Sequence, residues 1–411
     1  MPSLSDRLKA LGVQVGASGL PKTQRANHPI EKILEGRTIN FVQGEVFLVE
    51  QQYPFGHPHG NANLALTAPM EIMAEWAGDA RIKDIQPEKF VFIDTETTGL
   101  SGGSGTLAFM IGLGRFEQDD FKLTQFFLRD PSEEPAMLSA LEQYLAPCRA
   151  LVSFNGKAFD IPLIQARYIA NSQPQIFQNI THIDLLHLAR RLWRERLPSR
   201  ALNYLEQNIL DHQRAEEDTP GSIIPQLYFD YLRCGDARPL KGVFYHNAMD
   251  ILSMVTLMER MALMLAEPLG SQVEHALDLV ALGKLHEDLG YWNMAAKIYT
   301  CSLEQELPDK TRHQTIKRLS YLQKRRGELP EALSLWWQAA AERQVYAHEE
   351  LAKYYEHQAR DYIEAKRWTE AALVLIKMPD SPHYERVKWQ QDFEYRLARL
   401  ERRLNQRLKG K

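Results

Sequence analysis

The chain has 411 residues, 44% hydrophobic and 25% charged, which is enough for two or three packed domains. A formal net charge of -4 and a pI near 6.4 exclude a molecule-wide basic field, so any contact with nucleic acid must come from local patches. Cys148, Cys234 and Cys301 show no C-x-x-C spacing, which argues against a zinc site or a disulfide framework and fits a reducing cytoplasm, and no signal-like start or apolar stretch of about 18 residues supports export or a membrane span.

In chain order, residues 1–85 read as an N-terminal extension without a core of its own: a short helix, the stretch GASGLPKTQ, the strand-like run FVQGEVFLVEQQY and the turn-rich PFGHPHGN. From there the pattern changes. KFVFIDTETTGL reads as a buried strand ending in a polar loop, followed by two strands, TLAFMIGLGRFE and FKLTQFFLRD, joined by an acidic turn. A helix is expected over 133–146, a strand over 150–155, a helix from Phe159 with Pro162 in its first turn, and further helices over 184–197, 201–210, 223–234 and 242–266. Residues 86–266 therefore read as an α/β domain, a mixed sheet flanked by helices. Residues 272–376 repeat: Gly290, Ala295 and Ser302, then Gly327, Ala332 and Ala339, then Arg360, Ala365 and Ala372 keep offsets of five and twelve at separations of 37 and 33 residues. That period is close to the 34-residue tetratricopeptide unit, so an all-α domain of three such repeats is expected. Residues 377–411 end in a basic helical tail, RLARLERRLNQRLKGK.

The chemistry concentrates in carboxylates. Asp94 and Glu96 stand two apart on a strand and so share a face of the sheet. Two recessed acids repel unless a cation neutralises them, and an all-oxygen set suits Mg2+ or Mn2+; solvated acids at a strand edge are the plainer alternative. Thr97, Thr98 and Gly99 follow where hydroxyls and amides can meet an anionic substrate, and SGGSGT at 101–106 is either a flexible hairpin loop or a phosphate-facing one. Asp160, in SFNGKAFDIPLI, is either a helix N-cap or a metal ligand; Asn155 can hold its loop and Lys157 can point to a phosphate. His246 and Asp250 are four apart in FYHNAMDILSM and share a helix face, so an imidazole beside a carboxylate becomes a candidate proton acceptor. Four acids from three segments can hold two ions roughly 4 Å apart. Among secondary candidates, Arg190, Arg191, Arg194, Arg196 and Arg200 around Trp193 either contact phosphates and stack a base or form a solvated amphipathic helix. Asp184 reads as a helix cap. His57 and His59, in a proline-glycine turn, are ordered loop residues before they are ligands.

IDTETTGL, FNGKAFD and YHNAMD, in this order and spread over about 160 residues, resemble the motifs of DEDD-type 3′-5′ exonucleases of the ribonuclease H-like superfamily. HIDLLHLARRLW, DTPGSIIPQLYFDYLRCGDARPL and HNAMDILS are similar to the bacterial YprB-type predicted exonucleases, which also carry tetratricopeptide repeats; the P-x-x-H-x-H-G stretch around His57 and His59 is shared with that group. The resemblance implies a ribonuclease H-like domain, Asp94, Glu96, Asp160 and Asp250 as ligands of two divalent ions, and 3′-to-5′ hydrolysis of single-stranded DNA or RNA. Two departures stand out. The subclasses place a histidine five or a tyrosine four residues before the last aspartate, whereas here Tyr245 is five before and His246 four before Asp250, so both remain candidates with His246 favoured. The Asn155-to-Asp160 spacing is one longer than in proofreading exonucleases and resembles that of family B polymerase exonuclease domains.

The expected activity is thus a metal-dependent nuclease in the cytoplasm, with a protein partner for the repeats. Two alternatives use the same residues. A non-catalytic scaffold would bind nucleic acid or protein without cutting, although keeping all four acids argues against it, and a phosphodiesterase of short oligonucleotides would differ in the chain-length dependence of turnover.

Overall fold

The computed structural model describes residues 28–99, 105–118, 120–174, 176–378 and 383–409. It divides into two compact units, the first running to Arg190 and resuming over Ser199–Ala266, the second comprising Arg191–Pro198 with Glu267–Lys411.

The first unit is built on a seven-stranded mixed sheet in the order β1-β2-β7-β6-β5-β8-β9. Its strands are β1 (Arg37–Phe41), β2 (Gly44–Pro54), β5 (Phe90–Thr97), β6 (Ala108–Glu117), β7 (Asp120–Phe127), β8 (Ala150–Ser153) and β9 (Thr181–Asp184), while β3 (Pro58–His59) and β4 (Ala62–Asn63) form a separate small hairpin. β5 is the pivot: it pairs antiparallel with β6 and parallel with β8, which in turn runs parallel to β9. Phe90–Ile93 are buried on both faces, which is why the strand reads as an uninterrupted apolar run, and the acids begin where burial relaxes.

The segment read as an extension contributes to this sheet. β1 and β2 form a hairpin, and β2 pairs along β7 from Phe47 opposite Phe127 to Pro54 opposite Asp120. β9 was not expected as a strand: Thr-His-Ile-Asp runs straight into an amphipathic helix, so four residues of alternation are absorbed into the longer helical signal. The helices are α1 (Ile30–Ile33), α2 (Glu71–Ala77), α3 (Glu134–Leu145), α4 (Asp160–Ala170), α5 (Leu185–Trp193), α6 (Leu202–Asn208), α7 (Ile224–Cys234) and the 27-residue α8 (Leu240–Ala266). α8 lies on β5, β6 and β7, with Ile251, Met254, Val255 and Met258 fully buried. Each such side chain contributes about 1.5–3 kcal/mol over its exposed state.

The second unit is helical. α9 (Ala276–Asp288), α10 (Trp292–Leu303), α11 (Asp309–Arg326), α12 (Leu329–Ala341), α13 (Val345–His357) and α14 (Tyr362–Ile376) pack in sequence and are followed by α15 (His383–Lys409). The recurring residues explain one another. Gly290, Gly327 and Arg360 all take positive φ, at 86°, 85° and 54°, where one helix turns into the next. Ala295, Ala332 and Ala365 are fully buried, as are Ser302, Ala339 and Ala372, because a small side chain there lets consecutive helices approach.

No described helix is long and apolar enough to cross a membrane. The three cysteines are unpaired, with Cys148 buried.

Candidate active site

Asp94 and Glu96 emerge from the end of β5 on the face covered by α8. Opposite Asp94 in the register sits Gly112 of β6. A Cβ at Gly112 would stand 2.1 Å from Oδ1 of Asn247 and 2.5 Å from Cδ1 of Ile251, so the glycine makes the room that lets α8 reach the sheet. Asn247 fills that room, fully buried, and its Nδ2 donates to Oδ2 of Asp94 at 2.8 Å. Its own Oδ1 accepts from Nε2 of buried Gln125 at 2.9 Å. Asp94 is therefore held by an amide chain running back into the core.

Asp160 opens α4. The preceding loop hangs on Asp184, whose buried carboxylate accepts from the backbone N–H groups of Asn155 (2.8 Å) and Lys157 (3.1 Å) as well as from Leu186 (3.1 Å) at the start of α5. Asp184 thus caps a helix, as expected, and also anchors the loop that presents Asp160. Asn155 takes φ 68°, a left-handed conformation that asparagine tolerates. Thr95 donates its hydroxyl to Oδ1 of Asp160, linking β5 to α4. The Lys157 side chain is exposed, and so is Phe159 beside it.

Asp250 and His246 share one face of α8, with Nε2 of His246 3.7 Å from Oδ2 of Asp250. On its other side Nδ1 of His246 lies 2.9 Å from Oδ1 of Asp218. With the proton assigned to Nδ1, His246 donates to Asp218 and its Nε2 lone pair faces Asp250. Tyr245 turns elsewhere: its hydroxyl accepts from the backbone N–H of Ala215 at 3.0 Å. That contact fixes the 211–219 loop, which also needs Gly242, where a Cβ would be 2.2 Å from Oγ1 of Thr219.

The acids sense one another. Burial pushes the Asp94 carboxyl well above the usual carboxylate range, and the charges of Asp250, Glu96 and Asp160 push it further, against the Asn247 hydrogen bond. Glu96 is raised for the same reasons, with Asp250 and Asp160 as its charged neighbours. Burial brings Asp160 to about 6, against the Thr95 hydrogen bond, and it also raises Asp250, against Arg214 and His246. All four nonetheless keep part of their surface open to solvent.

Arg214 is the residue that the sequence reading missed. Its guanidinium, 10% exposed, forms a fork with Glu206, Nε to Oε2 at 2.7 Å and Nη2 to Oε1 at 2.5 Å, and Nη2 also donates to Oδ1 of Asp250. Burial works against that cation, but Glu206 and Asp250 more than offset it and hold Arg214 charged. Among the described residues, no three His, Cys, Asp or Glu side chains stand as a group able to hold a metal ion. Gln125, Asn247, Glu206 and Asp218 were missed as well. Asn247 alone had a readable signal, since it lies three before Asp250 on the helix expected over 242–266 and so close to the same face.

The remaining candidates make local contacts. The Thr98 hydroxyl accepts from Leu107 N–H at 3.0 Å and the Thr97 hydroxyl donates to the Gly99 carbonyl at 3.1 Å, so both tie the base of a loop whose tip, residues 100–104, lies outside the described residues. Trp193 is fully buried and offers no stacking face; Arg191 pairs with Asp288 and Arg196 with Asp278. The amphipathic alternative thus holds for this segment: the tryptophan side is core. His59 is buried, 2.7 Å from the Ser253 hydroxyl through Nε2 and stacked on His212 at 3.9 Å, which fastens the β3–β4 hairpin to α8. The His57 ring packs 5.1 Å from Tyr53.

A mixed sheet with acids at the end of its pivot strand and on the covering helix defines a ribonuclease H-like domain, and residues 91–262 match the RNase_H_2 family of the RNase_H superfamily. Over 370 residues the chain is 31% identical to the uncharacterized protein YprB of Bacillus subtilis (strain 168), covering 86% of this chain and 85% of that protein. It belongs to the YprB family. Among solved structures, the family B DNA polymerase of the hyperthermophilic archaeon Pyrobaculum calidifontis is similar over 60% of this chain and 34% of its own, at 13% identity and a TM-score of 0.32, too low to carry an inference.

Proposed function

We propose that the protein is a metal-dependent 3′-to-5′ exonuclease of single-stranded nucleic acid. The observation that carries this reading is the convergence of Asp94 and Glu96 from β5, Asp160 from α4 and Asp250 from α8: four recessed carboxyls, each pushed up by burial, whose charge the one contact from Arg214 offsets only in part. An all-oxygen donor set without cysteine fits Mg2+ or Mn2+, and these four residues would hold two such ions. When bound, the ions supply Lewis acidity to the attacking water and to the phosphate's leaving oxygen.

The chain's own residues then divide the work. Gln125 and Asn247 orient Asp94, Thr95 orients Asp160, and Asp184 sets the loop that carries Asn155 and Lys157 toward the substrate. Asp218 holds the His246 tautomer so that Nε2 takes the proton of the attacking water, the role for which Tyr245, bonded to Ala215, is poorly directed. Lys157 is exposed and free to reach a phosphate, and Thr97, Thr98 and Gly99 border the same strand end. The tetratricopeptide character of the helical unit, and a protein partner for it, belong to the same proposal.

A non-catalytic binding module has one observation in its favour, the Arg214 guanidinium already lying on Asp250. A linear 5′-labelled strand compared with its circularised form in Mn2+ separates the readings. The proposal expects loss of nucleotides from the linear strand alone. Equal attack on the circle would make the protein an endonuclease, and no attack on either would leave the binding module.

A further inference from the structure

We infer that Arg214 is a built-in counter-ion, which a divalent cation must displace from Asp250 for the acid cluster to be occupied; this rests on the metal-dependent reading above. The geometry is that of a cation whose two hydrogen-bonded carboxylates, Glu206 and Asp250, hold it unequally, with Asp218 a more distant third acid. Glu206 is 1% exposed and engages two nitrogens of the fork, so the pair is a fixed part of the core. Asp250 engages only Nη2, one of the nitrogens already bonded to Glu206, and through one carboxylate oxygen. Withdrawal from Asp250 therefore costs Arg214 one contact and leaves it paired.

The exchange is balanced in charge. Without an ion, the guanidinium, in contact with Asp250, offsets part of the repulsion among Asp94, Glu96, Asp160 and Asp250. With an ion, the same positive charge beside Asp250 becomes repulsive, and the fork to Glu206 gives it somewhere to remain. Arg214 also lies on the loop that carries Asp218, with Nη1 3.5 Å from Oδ2 of Asp218 and 3.1 Å from Nδ1 of His246. Releasing Asp250 leaves Nη2 to Glu206 alone while Nη1 stays beside Asp218 and His246, so occupation of the acids and orientation of His246 are linked through one side chain. The arrangement sets the ion affinity below what four carboxylates alone would give, and in return it keeps the ion-free cluster folded.

The test is calorimetric titration of the full chain with MnCl2, for wild type, R214M/E206Q and R214K, with D94N as the control for the site. The double variant removes the cation without stranding a buried charge; the lysine variant keeps a charge for Glu206 but loses the fork that spans both acids. Both are expected to bind Mn2+ several-fold tighter than wild type, and to melt lower than wild type without metal by a gap that narrows as Mn2+ is added. Folded variants that bind Mn2+ no tighter than a wild type whose binding depends on Asp94 would overturn the counter-ion while leaving the metal site intact. Absence of binding in every protein would overturn both.

Discussion

His59 is a buried imidazole with a hydroxyl on one side and a second imidazole stacked on the other. Burial pushes its pKa down to about 3, and the neighbouring His212, Arg214 and His57 push in the same direction. A histidine depressed when folded binds its proton more readily in the unfolded chain. Its stabilising contribution is therefore complete above the unfolded value near 6.5 and is lost as the pH falls from there toward about 3, an effect on the order of 5 kcal/mol when fully expressed. Thermal melts of wild type and His59→Gln between about pH 7 and pH 4 should diverge in slope, with wild type losing stability faster on acidification. Parallel curves would mean that the imidazole stack does not fasten the β3–β4 hairpin. The same residue shows why proximity in sequence misleads: His57 and His59 look like a ligand pair, but only three-dimensional packing against Ser253 and His212 reveals that one of them is core.

At the scale of elements, the site depends on how closely α8 approaches the sheet. Gly112 permits that approach, and an alanine there would collide with the side chains of Asn247 and Ile251, both buried, the first held in place by its hydrogen bonds to Gln125 and Asp94. Gly112→Ala should lower stability by about 1–3 kcal/mol and disturb the Asp94 hydrogen bond with it. Denaturant unfolding measures the first effect, and an unchanged midpoint would show that α8 can shift without cost. Much of this layer was legible in the sequence. The β5 run, the β6–β7 hairpin, α3, α4 and α8 follow from apolar periodicity and turn residues, and the acids follow from where that periodicity ends. β9 was not legible, being four residues long and fused to a helix. Arg214, Glu206 and Asp218 were not either: they lie in a polar helix end and loop where no period marks one residue above another, and only the fold brings them to Asp250.

For the whole molecule, the similarity to YprB extends over 86% of the chain, the ribonuclease H-like match lies in residues 91–262, and the helical unit shows its own repeating small residues. The sequence made both architectures legible because each leaves a pattern, apolar strand runs bounded by turns in one and recurring buried small residues in the other. It could not say how a cluster of four acids stays folded without an ion, since that rests on a single arginine from a distant loop. The central claim remains that these acids cut nucleic acid. Its most direct test is hydrolysis of 5′-labelled single-stranded DNA and RNA in Mg2+ or Mn2+ by wild type and Asp94→Asn. The account predicts a ladder shortening from the 3′ end that requires the metal and vanishes in the variant; an equally active variant, or a wild type that binds Mn2+ yet cuts neither strand, would contradict it.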